Sequence, residues 1–386
     1  MTLAYCTNIH PAETWLETLH ALDTHVLDVR DRLLTSGEHP TDKPYPIGLR
    51  LSAIAATELL TGNNLEAFKE WLVKNNCYIF TINGFPYGSF HGTRVKEQVF
   101  LPDWTSDERV EYTKQLFRIL AEIAPKSCGG SVSTLPGSHK SFNADEGKIR
   151  TNLIEIAHFI EELSLKHQVD LHLGLEPEPL GHFENTEETL GFFERLHQQA
   201  AAPHLIRERI GLNFDSCHFA IEFDGASVSL DAISQAGIRL SKIHLSNALR
   251  LDPGDKEAVD AIRKFDEPTY FHQVIARNSD GSLKRFSDLP IFLEHLEDTY
   301  FSTEKFKEAR VHFHIPLDSH PEAPLGSTYQ HVEETLNWCQ RHPTACQHFE
   351  IETYTWGVLP EKLQRPVEQQ IASEYHWVLN KLKNQF

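Results

Sequence analysis

The segment Ile210-Gly-Leu-Asn-Phe-Asp215 is a short apolar run that ends on an acid, and seven similar runs are spaced along the chain. Amphipathic stretches with helical periodicity lie between them. Alternation of short apolar strands with helices is typical of βαβ units and a parallel sheet. Eight strands, each followed by a helix, predict an α/β fold of the (β/α)8 or TIM-barrel class. The predicted strands are Leu3–Ile9, Ile47–Ser52, Tyr78–Asn83, Gly130–Thr134, Asp170–Glu176, Ile210–Asp215, Lys242–Ser246 and Phe349–Thr353. The predicted helices are Glu13–Leu34, Leu65–Lys74, Asp107–Ile123, Gly147–His167, Thr186–Gln199, Leu230–Gly237, Tyr329–Arg341 and Pro366–Lys383.

Composition describes a globular protein with an acidic surface. Of 386 residues, 40% are hydrophobic and 24% charged, and 36 Lys and Arg against 55 Asp and Glu give a formal charge of −19. Such a surface repels a phosphate backbone, and no basic run gathers the positive charges, so we expect no nucleic-acid partner. The six cysteines form no CxxC pair and are typical of thiols in a reducing compartment. Because the sequence shows neither a signal-peptide pattern nor a long apolar stretch, we expect one domain over residues 1–386, no membrane span and a cytoplasmic location.

The region between Leu249 and Arg310 breaks the alternation, since it is too long for one βα loop. Inside it, Asn278-Ser-Asp-Gly281 is a turn signature between two strand candidates, Tyr270–Ala276 and Leu283–Phe286, which predicts a β-hairpin. The following Val311-His-Phe-His-Ile-Pro-Leu317 has the pattern of a ninth strand. It is either an accessory strand beside the barrel mouth or the true seventh strand. We favour an insertion after strand seven, a hairpin plus helix over about residues 249–310, because long loops at that face carry function.

Polar side chains stand at the carboxyl ends of the last four predicted strands, where barrel active sites lie. By alternation, one side chain in each of these strands faces the barrel axis: Glu176, Asp215, His244 and Glu352. Three carboxylates in one small volume repel each other by several kcal/mol at low dielectric, so a cation is required among them. Three oxygens and one imidazole suit a divalent metal ion such as Mn²⁺ or Zn²⁺. The competing interpretation is four isolated strand-end residues without function.

Parity leaves the choice in the eighth strand open, because Glu350 and Glu352 point the same way. We choose Glu352 as the ligand, since it lies nearer the active face of the barrel, and keep Glu350 as a reserve for a second metal or for substrate.

The strand ends Gly174-Leu-Glu-Pro-Glu-Pro179, Asn213-Phe-Asp-Ser-Cys-His218 and Ile243-His-Leu-Ser-Asn247 resemble those of the xylose isomerase-like barrels. That superfamily includes sugar isomerases, ketose 3-epimerases, inosose dehydratases and endonuclease IV. In the epimerases, a Glu, an Asp, a His and a Glu on strands five to eight hold the metal. The resemblance implies these roles for Glu176, Asp215, His244 and Glu352, and a second-metal or substrate role for His218.

Four longer motifs resemble, more narrowly, the EboE family of bacterial metabolite-traffic proteins. They are Tyr5-Cys-Thr-Asn-Ile-His-Pro-Ala-Glu-Thr-Trp15, Leu175-Glu-Pro-Glu-Pro179, Phe214-Asp-Ser-Cys-His218 and Phe349-Glu-Ile-Glu-Thr-Tyr-Thr-Trp356. The resemblance implies a role in making or exporting a secondary metabolite. The family name records a gene cluster and defines no reaction.

Endonuclease IV differs from this chain in its additional zinc-binding histidines on strands three and four. The corresponding strands here end in Asn83 and in Val132-Ser-Thr-Leu-Pro136, without histidine, and we expect neither His91 nor His139 to reach the metal. A three-metal nuclease centre is therefore not expected. The candidates for a second metal are His218, His312 and His314, with Asp318 and His320 behind them. Histidines of a buried strand that are satisfied structurally explain His312 and His314 equally well.

The remaining polar and aromatic side chains at the strand ends suit a polyol, sugar or cyclitol ligand. The predicted substrate-binding residues are Asn8, His10, Arg50, Asn83, Asn247, Tyr354 and Trp356, with Phe85 and Tyr87 as further aromatic candidates. Arg50 could bind a carboxylate or phosphate, or form a structural ion pair.

We expect a metal-dependent isomerase or epimerase in which Glu176 and Glu352 remove and return a proton. The alternatives are a metal-dependent hydrolase or lyase, and a protein that handles a metabolite without turnover. The insertion is expected to act as a lid, or as the contact of a homodimer.

Overall fold

Eight parallel strands form one sheet in the computed structural model, which describes residues 1–88, 96–267, 270–298, 306–319, 321, 323–359 and 364–383. The strands are β1 (Thr2–Tyr5), β2 (Tyr45–Arg50), β3 (Cys77–Asn83), β4 (Gly130–Thr134), β5 (Leu171–Leu175), β6 (Ile210–Asp215), β7 (Arg239–Leu245) and, after an accessory sheet, β13 (His348–Ile351). Their order is β1-β13-β7-β6-β5-β4-β3-β2, and a parallel bridge between Cys6 and Gly48 joins the two edges. The sheet is therefore a closed barrel, and the predicted fold class is confirmed.

Most of the helices surround this barrel. The helices are α1 (Trp15–Ala21), α2 (Leu27–Ser36), α3 (Ala53–Leu59), α4 (Asn64–Lys74), α5 (Asp107–Ile123), α6 (Glu146–His167), α7 (Thr186–Gln199), α8 (Pro203–Arg209), α9 (Ser216–Ile221), α10 (Ala226–Gln235), α11 (Lys256–Ile262), α12 (Leu289–Asp298), α13 (Tyr329–Arg341) and α14 (Val367–Lys383). Two of them, α11 and α12, pack instead with the strands of the accessory sheet. Local signals set their ends: Thr14 and Glu17 form a capping box on α1, and α2 ends at Gly37 with φ 76°. A π-helical segment, Leu22–Val26, joins α1 to α2. The short α3, α8 and α9 were not predicted, because six or seven residues are too few to show helical periodicity.

Two of the predicted strands, Gly130–Thr134 and Ile210–Asp215, have the predicted bounds, and the other six differ at one or both ends. The first predicted strand stops at Tyr5, and Thr7–Ile9 forms a 3₁₀ turn instead. The seventh barrel strand is Arg239–Leu245, so the alternative that Val311–Leu317 is the seventh strand is wrong.

Only Ser246 separates β7 from the first strand of an accessory sheet. Its five strands are β8 (Asn247–Leu251), β9 (Val274–Asn278), β10 (Leu283–Phe286), β11 (Phe306–Ile315) and β12 (Gly326–Ser327). They are antiparallel in the order β10-β9-β11-β8-β12, and β9 and β10 form the predicted hairpin. The interruption runs from Asn247 to Ser327 and is longer than the predicted 249–310, because β11 and β12 both pair with β8. Residues 270–273, predicted as strand, lie outside β9.

Most buried apolar side chains belong to one of two clusters. The larger one lies between the barrel and its helices, and a smaller one lies under the accessory sheet between β8, β9, β11, α11 and α12. All six cysteines are free thiols. Among the described residues, no helix is both long and apolar enough to cross a lipid bilayer.

Candidate metal centre

Four side chains from four neighbouring strands meet at the carboxyl end of the barrel. One atom of metal-ligand type from each of Glu176, Asp215, His244 and Glu352 lies within 4.8 Å of the other three, and all four residues are buried. The Nδ1 atom of His244 is 3.0 Å from Glu176 Oε1, 3.2 Å from Glu352 Oε2 and 3.6 Å from Asp215 Oδ2. The four residues chosen from strand parity are thus brought together, and their role as metal ligands stays a prediction.

Two carboxylate oxygens of this cluster accept no hydrogen bond from the described residues. Glu176 Oε2 and Asp215 Oδ2 are buried and have no hydrogen-bond partner among the described residues. In contrast, Asn8 and Asn83 donate to Glu352 Oε1 at 2.9 and 3.3 Å, so that Oε2 is the oxygen turned towards His244. Buried carboxylate oxygens without a donor are costly, and a divalent cation among three carboxylates and one imidazole would satisfy them. The residues present therefore fit a metal ion.

Asp215 is held in its ionised form. Its Oδ1 accepts hydrogen bonds from the backbone of Cys217 and His218 at the start of α9, at 2.7 and 3.1 Å. Burial alone would raise the pKa of Asp215, but His218, His244 and His314 together lower it well below its usual value. One oxygen of Asp215 thus caps a helix, and the charged other one is available to a cation.

Glu350 lies behind His244 and takes no part in the cluster. Its Oε2 accepts a hydrogen bond from Lys242 and lies 3.1 Å from His244 Nε2. Burial would raise the pKa of Glu350, but Lys242 and His244 outweigh it and lower the pKa to about 2. Among the described residues, Glu350 belongs to no group of metal-ligand type, which supports the choice of Glu352 in the eighth strand and argues against Glu350 at a second metal.

Three histidines form a second group beside the first. Ligand atoms of His218 and His314 lie within 4.8 Å of each other and of Asp215, and His312 and His314 make a similar group with Cys217. Two of the rings face carbonyl oxygens through Nδ1: His218 faces Pro177 O at 2.8 Å and His314 faces Glu352 O at 2.9 Å. A carbonyl oxygen only accepts, so each Nδ1 carries a proton, and Nε2 is the nitrogen of each ring that could bind a cation.

His312 is oriented in the same way through an amide. Its Nδ1 lies 2.7 Å from Gln273 Oε1, and the Gln273 NH₂ group donates to Pro179 O at 3.1 Å, which determines the direction of the amide. Burial lowers the pKa of His312 well below its usual value and also lowers that of His218. The Nε2 atoms of His312 and His314 are 3.1 Å apart. At this distance the two nitrogens can share a proton in a hydrogen bond or bind a cation together.

A cavity with about 600 Å³ of free space, partly open to solvent, lies above both groups. Glu176, Glu352, His218 and His312 form its floor, and of the predicted substrate-binding residues Asn8, Asn83 and Tyr354 line it. The other lining residues are Phe85, Pro86, Lys96, Val99, Phe100, Glu178, Tyr270, Phe271 and Gln273.

Four predicted substrate-binding residues are not part of this lining: His10, Arg50, Asn247 and Trp356. The His10 ring is hydrogen-bonded to Tyr5 and stacked on His25, because the 3₁₀ turn after β1 directs it away from the mouth. The Arg50 guanidinium contacts Glu13 and two backbone oxygens, which is the structural ion pair left open above. Asn247 accepts from Thr328, and Trp356 donates to the backbone of residue 365. Their positions argue against direct contact with a ligand.

Of the reserve histidines, His139 packs between Phe100 and Phe271, and His91 and His320 lie outside the described residues. Asp318 is occupied by hydrogen bonds from residues 365, 370 and 373, so it is not available to a metal at this site.

Sequence reasoning missed several residues at the cavity. Glu178 lines it, and burial, with the charges of Glu176, Glu352 and Asp215, raises its pKa well above the usual value. The available signal was its shared parity with Glu176 in Gly174-Leu-Glu-Pro-Glu-Pro179. Tyr270, Phe271 and Gln273 come from an irregular segment of the accessory region, for which periodicity carries no signal.

Several solved structures have folds similar to that of this chain. The IolI protein, whose crystal structure contains a zinc atom, matches 100% of this chain and 99% of its own at 11% identity, with a TM-score of 0.50. A D-tagatose 3-epimerase-like protein matches 99% of both chains at 11% identity and a TM-score of 0.47. The probable 3-DHS dehydratase AsbF from Bacillus anthracis matches 98% of this chain and 99% of its own at 12% identity and a TM-score of 0.45. At such low identities the likeness shows the fold alone, which is that of a TIM barrel. No family model and no curated protein sequence matches it.

Proposed function

We propose that this protein is a divalent-metal-dependent isomerase or epimerase of a sugar- or cyclitol-like polyol. The observation that carries the proposal is the buried cluster of Glu176, Asp215, His244 and Glu352, in which two carboxylate oxygens lack donors. Glu176 and Glu352 also line the cavity, so the cluster is accessible to a small molecule. Mn²⁺ and Zn²⁺ both suit this donor set.

The bound ion would polarise neighbouring carbonyl and hydroxyl oxygens of the substrate and so acidify the C–H bond between them. Glu176 follows β5 and Glu352 follows β13, so two carboxylates approach the cavity from different sides of the barrel. One would take the proton and the other return it. Asn8 and Asn83, by donating to Glu352 Oε1, hold that carboxylate in place.

The group of His218, His312 and His314 supports a second cation beside the first. Ligand atoms of Asp215, His218 and His314 lie within 4.8 Å of one another, as do those of Cys217, His312 and His314, and either group has donors typical of a Zn²⁺ site. Two adjacent metal ions are also the arrangement of many hydrolases, which makes a metal-dependent hydrolase or lyase the second candidate function.

The motifs that resemble EboE proteins support a substrate from secondary metabolism. That part of the proposal rests on the quoted motifs alone. Handling of a metabolite without turnover is the remaining alternative.

Metal binding by Asp215→Asn tests the proposal. The variant keeps Oδ1 as an acceptor for the cap of α9 but removes the charge, so it should fold and lose most of its affinity for Mn²⁺ and Zn²⁺. Asp224→Asn is the matched control, because the Asp224 carboxylate also accepts from a helix start, that of Thr186, away from the cluster. Elemental analysis and calorimetric titration, with circular dichroism for the fold, provide the readout. Unchanged affinity in Asp215→Asn, or no metal bound by the unaltered protein, contradicts the site.

Solvent exchange distinguishes the reactions. In D₂O, an isomerase or epimerase should introduce deuterium at a carbon of its polyol. NMR detects this deuterium even when the product is unknown. Glu176→Gln and Glu352→Gln should abolish this exchange. Cleavage without exchange favours the hydrolase or lyase.

Calorimetry of His314→Ala tests the second metal site. The variant should lose only a second, weaker equivalent of Zn²⁺. A single equivalent bound by the unaltered protein would refute the second site.

A further inference from the structure

Lys242 and Glu350 are an ion pair inside the barrel, one layer below the metal cluster. Both side chains are fully buried, and Lys242 Nζ donates to Glu350 Oε2. Barrel interiors are ordinarily filled by branched apolar residues. Well-packed apolar residues in place of a buried ion pair often leave a protein as stable or more stable, so the pair needs a reason other than stability.

The neighbouring strand is adapted to this carboxylate. A Cβ atom added to Gly48 of β2 would lie 1.9 Å from Glu350 Oε1 and 2.8 Å from the backbone oxygen of Tyr5. Only glycine therefore leaves room for Glu350 at this place in the barrel. The ion pair depends on a matching residue two strands away in the sheet order, and is not a chance contact.

The pair acts on His244. Glu350 Oε2 lies 3.1 Å from His244 Nε2, and a carboxylate can only accept, so Nε2 carries a proton. The other nitrogen, Nδ1, is the one that faces Glu176, Asp215 and Glu352. This hydrogen bond at Nε2 leaves Nδ1 as the nitrogen that could bind a metal ion held among these carboxylates.

Lys242 completes the arrangement through its charge. Without it, Glu350 would add a fourth negative charge beside the three carboxylates of the cluster, and a proton on Glu350 would end its role as an acceptor. Lys242 and His244 have the same parity on β7, so the strand presents the ammonium and the imidazole to the same side.

We propose that Lys242 and Glu350 are positioning residues that hold the His244 ring, through the hydrogen bond at Nε2, in the orientation that directs Nδ1 towards the metal site. The inference rests on the proposed metal centre and deepens it. The Lys242–Glu350 pair is an ionic layer beneath the ligands that contributes to metal affinity and not to the stability of the fold.

The double variant Lys242→Met/Glu350→Leu separates the two roles. It removes both charges together, so it should keep or increase the melting temperature of the metal-free protein. Its Mn²⁺ affinity should fall by roughly 10- to 100-fold, as measured by calorimetry. Lys242→Met/Glu350→Gln retains a neutral acceptor for His244 Nε2 and should recover part of that affinity.

Two results overturn the inference. One is an affinity of Lys242→Met/Glu350→Leu within twofold of the unaltered protein, and the other is a loss that Lys242→Met/Glu350→Gln does not reduce. If the leucine variant does not fold, Glu350→Gln alone serves, with an expected loss of about 10-fold. An unaltered protein that binds no Mn²⁺ instead refutes the proposed function, so the two failures are distinct.

Discussion

Glu374, on α14, has a buried carboxyl that accepts hydrogen bonds from the backbone of Leu317 and from Thr353. Burial nevertheless dominates and raises its pKa from 4.5 to about 7. The folded protein thus binds this proton more tightly than the unfolded chain does. The contribution of Glu374 to stability consequently falls as the pH rises from about 4.5 to 7, since ionisation is easier in the unfolded state.

Glu374→Gln removes this dependence while keeping a side-chain oxygen as acceptor. Between pH 5.5 and pH 8 the free energy of unfolding of the variant, relative to that of the unaltered protein, should increase by about 2 kcal/mol, so that the variant becomes the more stable of the two by comparison. Urea unfolding at both pH values measures it. Glu108→Gln on α5 is the control: hydrogen bonds from Ser106 and from its own backbone hold the Glu108 pKa below its usual value, so the difference should not rise with pH. A constant difference for Glu374→Gln would contradict the assignment.

At the scale of elements, Gly48 links β2 to the barrel interior. Its contacts predict that Gly48→Ala loses at least about 3 kcal/mol of the free energy of unfolding, because Glu350 and the Tyr5 backbone leave no space for a methyl group. Gly191→Ala is the matched control, since Gly191 lies within α7 and its added Cβ would meet only the flexible end of Arg195. That change should be stabilising by about 0.5–1 kcal/mol. Chemical denaturation compares the two, and equal effects would refute the close packing against β2.

At the scale of the whole molecule, the accessory sheet completes the cavity. Tyr270, Phe271 and Gln273 come from this region and line the cavity, and Lys96 reaches across to form an ion pair with Asp288. A cover of this kind excludes water from the reacting groups. The position supports the lid, and the homodimer contact stays the alternative.

Replacement of residues 253–308 by a short Gly/Ser linker tests these roles. The four residues of the first metal cluster lie outside the deleted segment, so metal content should stay intact while affinity for the polyol falls at least tenfold. Shortening the exposed turn at residues 279–281 is the control and should change neither. Calorimetry and light scattering provide the readout. A monomeric deletion variant with unchanged ligand affinity, from a dimeric parent, would make the insertion an interface and refute the lid.

The sequence by itself determined the barrel and the four central residues. Alternation of apolar runs and helices is a local property, and side chains of opposite parity leave a strand on opposite faces. Glu176, Asp215, His244 and Glu352 each end a strand with the same parity, so their meeting followed once the strands were assigned. The turn at Asn278–Gly281 could be predicted from the sequence for the same reason, since a turn depends on residue types within four positions.

Only the tertiary structure decided which other side chains reach the cavity. Asn8 and His10 both follow β1, and Arg50 and Asn83 both end a strand, yet His10 and Arg50 face Tyr5 and Glu13 instead of the cavity. The pairing of β11 with β8, which brings His312 and His314 towards Asp215, joins residues about 60 positions apart in the chain. The Lys242–Glu350 pair likewise depends on which strands become neighbours when the sheet closes. Such contacts are set by the packing of the whole barrel, about which a local pattern carries no information.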